Sequence, residues 1–297
     1  MYILMLVMIS LASCSKSATK LRIGIIKPSI DHLPLSYALE KGYLDASKFE
    51  LSEFSSGWEL QEALVGKQVD LAIMPFTFAY NAVEKGFPIR TISFFERETD
   101  GIVARNPYKN LADLNGKKIG LLRASSLDVL LTDLEAKQSS TYEKVFFRTP
   151  NEMIAALAAN EVEAIVVYVP LIQKLGEEHQ IVHWFSADYP AHPCCDIVVN
   201  QKMLSKAKQA QVIALKPGLL QAIEKINARD EQLLAFVEER FAINRKQAID
   251  ALDHTVFRLG LDSSGIDFQQ NMMNISIQSG YLDKAVSPES IYWDIWK

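Results

Sequence analysis

Phe49-Glu50-Leu51-Ser52-Glu53-Phe54-Ser55-Ser56-Gly57-Trp58-Glu59-Leu60 and, ten residues further on, Asp70-Leu71-Ala72-Ile73-Met74-Pro75 decide the fold. The first stretch passes from a strand over residues 49–54 directly into a helix start. Ser56 and Glu59 form a capping box ahead of Leu60, Ala63 and Leu64, and Gly66 stops the helix. The second is a short apolar run of buried-strand type, broken by Pro75 and followed by a helix that carries Ala79, Ala82 and Val83 as far as Gly86. Upstream, Leu21 to Ile26 is another apolar strand; Pro34 opens a helix with Leu35, Ala38 and Leu39, and Gly42 ends it. Strand, loop and helix in regular alternation predict an α/β protein with mostly parallel sheets.

The alternation restarts near Asp100. Ile119 to Leu122 reads as a strand, Ser125-Ser126-Leu127-Asp128 opens a helix with Leu130, Leu131 and Leu134 on one face, and Thr149-Pro150-Asn151-Glu152 opens the next before a strand over residues 164–168. From about Ser205 the periodicity is helical, with no strand of its own, so this tail must pack back on the first sheet. The expected architecture is two α/β lobes joined by a two-segment hinge. Lobe 1 takes residues 20–97 and 201–297 and lobe 2 residues 98–200, with crossings over residues 95–100 and 196–202.

The 297 residues are 49% hydrophobic and 23% charged, with a formal net charge of -5. That balance excludes disordered and fibrous classes and, with no basic run, gives no reason to expect nucleic-acid binding. The partner should be a small molecule or another protein. Three cysteines are present, Cys14, Cys194 and Cys195. Cys14 ends an apolar run over residues 1–13 that is too short to span a bilayer and reads as a signal peptide, although no Lys or Arg precedes it. Leu11-Ala12-Ser13-Cys14 resembles the bacterial lipobox, which implies lipidation of Cys14 and a polar tether over residues 14–20.

Three further segments resemble the nitrate/sulfonate/taurine-type solute-binding proteins and the related thiamin-pyrimidine-binding group. They are Leu33-Pro34-Leu35-Ser36-Tyr37-Ala38-Leu39-Glu40-Lys41-Gly42-Tyr43-Leu44, Leu111 to Gly120, and Ala155 to Ile165. In the third, Asn160 and Glu163 stand where those families usually have glycine and aspartate. The resemblance implies the type II periplasmic binding protein fold and an extracytoplasmic receptor of an ABC importer, monomeric, anchored to the membrane only by lipid, which delivers its solute to a permease and needs no cofactor. It also brings an alternative, an enzyme of the pyrimidine-synthase type. A ligand-sensing lipoprotein is the third reading.

In open α/β sheets, ligands bind beyond the carboxyl ends of the strands, where helix N-termini present free N–H groups. Those loops hold the candidate ligand-binding residues: Lys27, Ser29 and His32; Ser56 and Trp58; Phe76 and Thr77; Arg123, Ser125 and Ser126; and Tyr168. The hydroxyls suit oxyanion oxygens, Lys27 and Arg123 supply charge, and Trp58, Phe76 and Tyr168 offer walls for a ring. Ser56 and Ser125 serve equally well as plain helix caps. His32 follows the Pro28, His32, Pro34 spacing of the thiamin-pyrimidine group, where a histidine lies at the ligand. Cys194 and Cys195 fall where the synthases of that group carry a denser cysteine cluster. Adjacent cysteines lack zinc-site spacing, so no metal is expected, and small buried thiols or a vicinal disulfide are the two readings. The solute expected is an anion or a heteroaromatic ring. Asp31, Asp100 and Asp196, in or near the same loops, count against an anion, either by cancelling the field or by selecting a neutral or cationic solute.

Overall fold

The computed structural model describes residues 20–297. Cys14, the apolar run before it and the tether up to residue 19 lie outside the described residues. No helix among the described residues is long and apolar enough to cross a membrane.

The first lobe begins with β1 (Leu21–Ile26), α1 (Leu33–Glu40), β2 (Phe49–Phe54), α2 (Gly57–Val65), β3 (Leu71–Pro75), α3 (Phe76–Glu84) and β4 (Ile89–Arg97). The second holds β5 (Asp100–Arg105), β6 (Lys118–Leu122), α4 (Ser126–Gln138), β7 (Glu143–Phe147), α5 (Pro150–Ala158), β8 (Ala164–Tyr168), α6 (Leu171–Lys174) and β9 (His179–Trp184). The chain then returns through β10 (Pro193–Asn200) to α7 (Lys206–Ala228), α8 (Glu231–Phe241), α9 (Arg245–Asp253), β11 (Val256–Gly260), α10 (Ser263–Gln278) and α11 (Pro288–Ile291). Two sheets result, ordered β11-β4-β10-β3-β1-β2 and β7-β6-β8-β5-β9.

Both faces of the first sheet are covered, which is why β3 is apolar without a break. Leu71 and Ile73 enter one core with Ile23, Ile25 and Val212, while Ala72 and Met74 enter the other with Leu60, Leu64 and Phe76. Each of the larger side chains here contributes about 1.5–3 kcal/mol. Asp70, fully buried, fixes α7 to the sheet by pairing with both Arg22 Nη2 at 2.8 Å and Lys208 Nζ at 2.7 Å.

Three expectations need correction. Residues 193–200, placed in lobe 2 by the sequence, form β10 in the first sheet, where it runs antiparallel to both β3 and β4. The chain returning from the second sheet enters the first from the opposite end, so a continuous apolar strand was assigned to the lobe it leaves. The second crossing therefore precedes Pro193. The tail also has a strand of its own: β11 pairs antiparallel with β4. For the same reason the sheets are mixed: β1, β2 and β3 are parallel, as are β6, β7 and β8, while β5 and β10 run against their neighbours.

At the crossings, Glu98 (φ 70°) and Ala191 (φ 56°) occupy the left-handed region that side chains disfavour. They are held there together: the Glu98 carboxylate accepts from Ala191 N–H, and Arg97 Nη1 donates to the Ala191 carbonyl at 2.8 Å. Arg97 Nη2 continues to Asp262 at 2.6 Å.

Candidate functional site

The carboxyl ends of β1, β3 and β4 face the amino end of α4 across a seam between the lobes, and a cavity of about 40 Å³ lies in it. Ser56 caps α2 and Ser125 caps α4, accepting from Glu59 N–H and Asp128 N–H at 3.3 Å each. Both helix starts line the cavity, so each serine caps its helix and presents it to the cavity. Ser29, Ser126 and Tyr168 stand in the same wall. These are five of the eleven ligand-binding candidates.

The other six lie outside the cavity wall, each for a visible reason. Lys27 is half exposed and pairs with Glu53 at 3.0 Å. With Arg240, Glu40 and Glu239 it borders an open groove of about 600 Å³ on the lobe surface, whose mixed charges and width enclose nothing. Arg123 lies over the rings of Phe146 and Tyr281, 5.6 and 5.9 Å from their centroids. Phe76 packs edge-on against Tyr80 and Phe268 in the core. Thr77 is buried in the first turn of α3, its hydroxyl without a partner among the described residues. Trp58 stands edge-on to Phe78 and donates Nε1–H to the Arg123 carbonyl at 3.3 Å, closing the seam rather than lining the cavity. His32 is fully buried behind Asp31. Arg240 Nη2 is 3.2 Å from His32 Nε2 and has only protons to give, so Nε2 accepts and Nδ1–H donates to Asp31 Oδ1, also at 3.2 Å. His32 orients a wall residue instead of forming the wall.

The polar character of the wall is acidic. Asp31, Glu96 and Asp100 line it, and no Lys or Arg does. Asp100 is bonded by His192 Nε2 at 3.3 Å. Asp31 Oδ2 and Glu96 Oε1 are buried and have no partner among the described residues, although an unmatched buried polar atom costs about 1–3 kcal/mol. Burial first, then the charges of Asp100 and Asp31, pushes the Glu96 carboxyl well above the ordinary carboxylate range. Glu96 and Thr99 are polar wall residues that the sequence reading missed. The signal was one acid closing the apolar run Ile92-Ser93-Phe94-Phe95 at the edge of the first crossing.

Cys194 and Cys195 complete the wall, both buried and both free thiols. With Glu96 they bring three potential ligand atoms within 4.8 Å of one another, a grouping that sequence spacing did not reveal. Burial, followed by the neighbouring Cys194, drives the Cys195 thiol upward. At Cys194 the neighbouring Cys195 pulls down, but burial with Asp100 and Glu96 prevails and the thiol rises too. A metal held there would have to displace those protons.

The lobes are drawn together over this cavity. Besides the Trp58 bond, Ile30 N–H donates to the Val169 carbonyl at 3.3 Å, Gln173 Nε2 to Asp250 at 3.0 Å, and Trp184 stacks on His254 at 3.8 Å between centroids.

Comparison with solved structures gives the fold. The alkanesulfonate-binding protein SsuA of Xanthomonas axonopodis pv. citri, bound to MOPS, superposes with a TM-score of 0.80 at 19% identity over 93% of this chain and 98% of that one. The ligand-binding component of an ABC-type import system from Staphylococcus aureus gives 0.78 at 19% identity over 94% and 98%. A Candida albicans protein described as having the generic periplasmic binding protein fold gives 0.72 at 17% identity over 93% and 96%. The fold is that of the periplasmic binding proteins. Among curated proteins, binding proteins of Brucella abortus and Brucella melitensis, whose names specify no ligand, are 31% identical over 81 residues. That stretch is 27% of this chain and 25% of the length of each relative. A family model described as NMT1/THI5 like matches residues 29–229, more than half of the sequence, and the chain belongs to that family.

Proposed function

We propose that this protein is the solute-binding component of an ABC importer, and that its solute is a small ring bearing amine or amidine N–H groups, of the aminopyrimidine kind, held between the lobes. The observation that carries the reading is the pair of unmatched buried oxygens, Asp31 Oδ2 and Glu96 Oε1, in an interlobe cavity without a basic side chain. Of the two solute chemistries the sequence left open, the wall favours the heteroaromatic one. The helix starts at Ser56 and Ser125 would favour an anion by about 0.3–1 kcal/mol each, but the wall offers acidic side chains and no basic one, and Lys27 and Arg123 are engaged elsewhere.

A solute with N–H donors satisfies the orphan oxygens. About 40 Å³ is far below the roughly 300 Å³ at which ordinary ligand pockets begin, so capture requires the lobes to part at the two crossings and close again. His32, buried against Arg240, stands apart from the thiols in the wall, which counts against the synthase reading that joined His32 to the cysteines.

The same reading places the protein outside the cytoplasm, held to the membrane through Cys14 and paired with a permease. Labelled palmitate should enter the wild type and not Cys14→Ala; equal labelling would remove the anchor from the account. Calorimetric titration with aminopyrimidines, alkanesulfonates and nitrate tests the solute class. Tightest binding is expected for the amine-bearing rings, and tighter binding of a sulfonate or nitrate would overturn the assignment.

A further inference from the structure

In an undistorted strand, consecutive side chains leave on opposite faces, so two adjacent cysteines do not meet. β10 departs from this at Cys194 and Cys195. Its register against β4 shifts between Pro193 and Cys195 and again between Cys195 and Asp196. Such a bulge re-aims side chains, and here both sulfurs, 4.0 Å apart, line the same cavity. Cys194 belongs to the first sheet, yet its Sγ lies 3.3 Å from Ser126 Oγ, in the first turn of α4 in the other lobe. The pair therefore sits on the seam that parts when the lobes separate.

We propose that Cys194 and Cys195 form a reversible redox latch on the cavity, a dithiol when the lobes are closed and a vicinal disulfide when an open protein meets a disulfide-bearing oxidant. The inference rests on the hinged-cleft reading above. In the first step one cysteine thiolate attacks a sulfur of the oxidant R–S–S–R, forming a mixed disulfide and expelling RS⁻. The second cysteine then attacks the protein sulfur of that mixed disulfide, closes an eight-membered ring and expels the second RS⁻. Two S–H bonds are lost and one S–S bond is made. The oxidant takes up the two electrons and two protons and leaves as two R–SH.

Three features favour a switch over a static pair. In the closed form Cys194 and Cys195 are only 4% and 5% exposed. Since the thiolate is the nucleophile, burial that keeps both thiols protonated makes the closed protein inert. Adjacent Cα atoms stand about 3.8 Å apart, closer than the roughly 4.4–6.8 Å of relaxed disulfides, so the ring is readily reduced again. Ring closure also draws Cys194 Sγ from 4.0 Å to bonding distance of Cys195 Sγ and leaves it no proton to give, which weakens its cross-lobe contact with Ser126 Oγ. Since that contact with Ser126 exists only when the lobes are closed, weakening it by oxidation shifts the balance toward the open form.

The test uses the full chain carrying Cys14→Ser, which leaves the pair as the only cysteines. The reduced protein is incubated with glutathione disulfide, then followed by intact mass after alkylation and by small-angle X-ray scattering. Loss of two hydrogens is expected, without glutathione adduct or dimer, restored by dithiothreitol and accompanied by a larger radius of gyration. Cys194→Ser and Cys195→Ser should each abolish both changes. A pair that stays reduced while the urea-unfolded chain oxidises, a persistent glutathione adduct, or complete oxidation at unchanged radius would each overturn the latch. The mass readout needs no solute. Solute binding that is equally tight before and after oxidation would end the latch and leave the solute reading standing, whereas a working latch on a protein that binds no small molecule would do the reverse.

Discussion

Asp196→Asn should make the protein's stability less sensitive to rising pH. Asp196 lies on β10 in the middle of the first sheet, with no exposed surface, and Gln269 Nε2 donates to both of its oxygens at 3.1 Å. Burial outweighs that bond and the pull of Arg97 and Thr91, and moves the carboxyl from its ordinary 3.8 up to about 8. In the window between those values the native protein holds a proton that the unfolded chain releases. Stability therefore falls as pH rises through it, by at most about 1.4 kcal/mol for each pH step of one. From about pH 5 to about pH 7.5 the ceiling is roughly 3 kcal/mol, and local relaxation around the ionised group brings the expectation to about 1–3 kcal/mol. Urea unfolding of wild type and Asp196→Asn at both pH values isolates this term, because every other titrating group is common to the two proteins. The wild type should lose that amount relative to the variant on going to the higher pH. Parallel pH dependence of the two would show that Asp196 ionises in the folded protein as it does in the unfolded chain.

Trp58→Phe keeps a ring against Phe78 but removes the donor to the Arg123 carbonyl across the seam. Losing one such bond, worth about 0.5–1.5 kcal/mol, should weaken solute binding roughly two- to tenfold at unchanged melting temperature, as read by calorimetry and thermal unfolding. Gly57→Ala would place a Cβ 2.1 Å from Cε2 of Phe78, a ring only 2% exposed and packed edge-on against Trp58, so the ring would have to shift. Overpacking of this kind costs about 1–3 kcal/mol, which a thermal melt should show as a lowered midpoint. Asp31→Asn removes the acidic group facing the solute while keeping the side chain's shape, and affinity for an amine-bearing ring should fall roughly 30- to 150-fold, about 2–3 kcal/mol; an unchanged affinity would take Asp31 out of the site.

The fold was legible because its signals are local and independent. Ser56, Ser125 and Thr149 each mark a helix start directly after a strand, and all three cap; the reciprocal box forms only at Thr149 with Glu152, while the Glu59 and Asp128 carboxylates accept from Ser55 and Ala124 N–H, one residue before the cap. What the sequence did not yield is long-range. The sheet that receives β10 is fixed by pairing with β3 and β4, more than ninety residues upstream of it, and an apolar run does not name its partner. The site divides along the same line. Ser29, Ser56, Ser125, Ser126 and Tyr168 were found because loops at strand ends are where ligands sit. Lys27 and Arg123 share those loops, but a long cationic side chain goes where its partner is, and the partners were Glu53 in one case and two aromatic rings in the other. Glu96 escaped because a single acid in a strand looks like an edge position until the sheet around it is known.

The most direct measurement is mass spectrometry of the small molecule released on denaturing protein purified from its native envelope. The account predicts one equivalent of a small nitrogenous ring with amine or amidine N–H groups and no acidic function, lost from Asp31→Asn. An equivalent of a sulfonate, nitrate or carboxylate, or retention of the same molecule by Asp31→Asn, would contradict it.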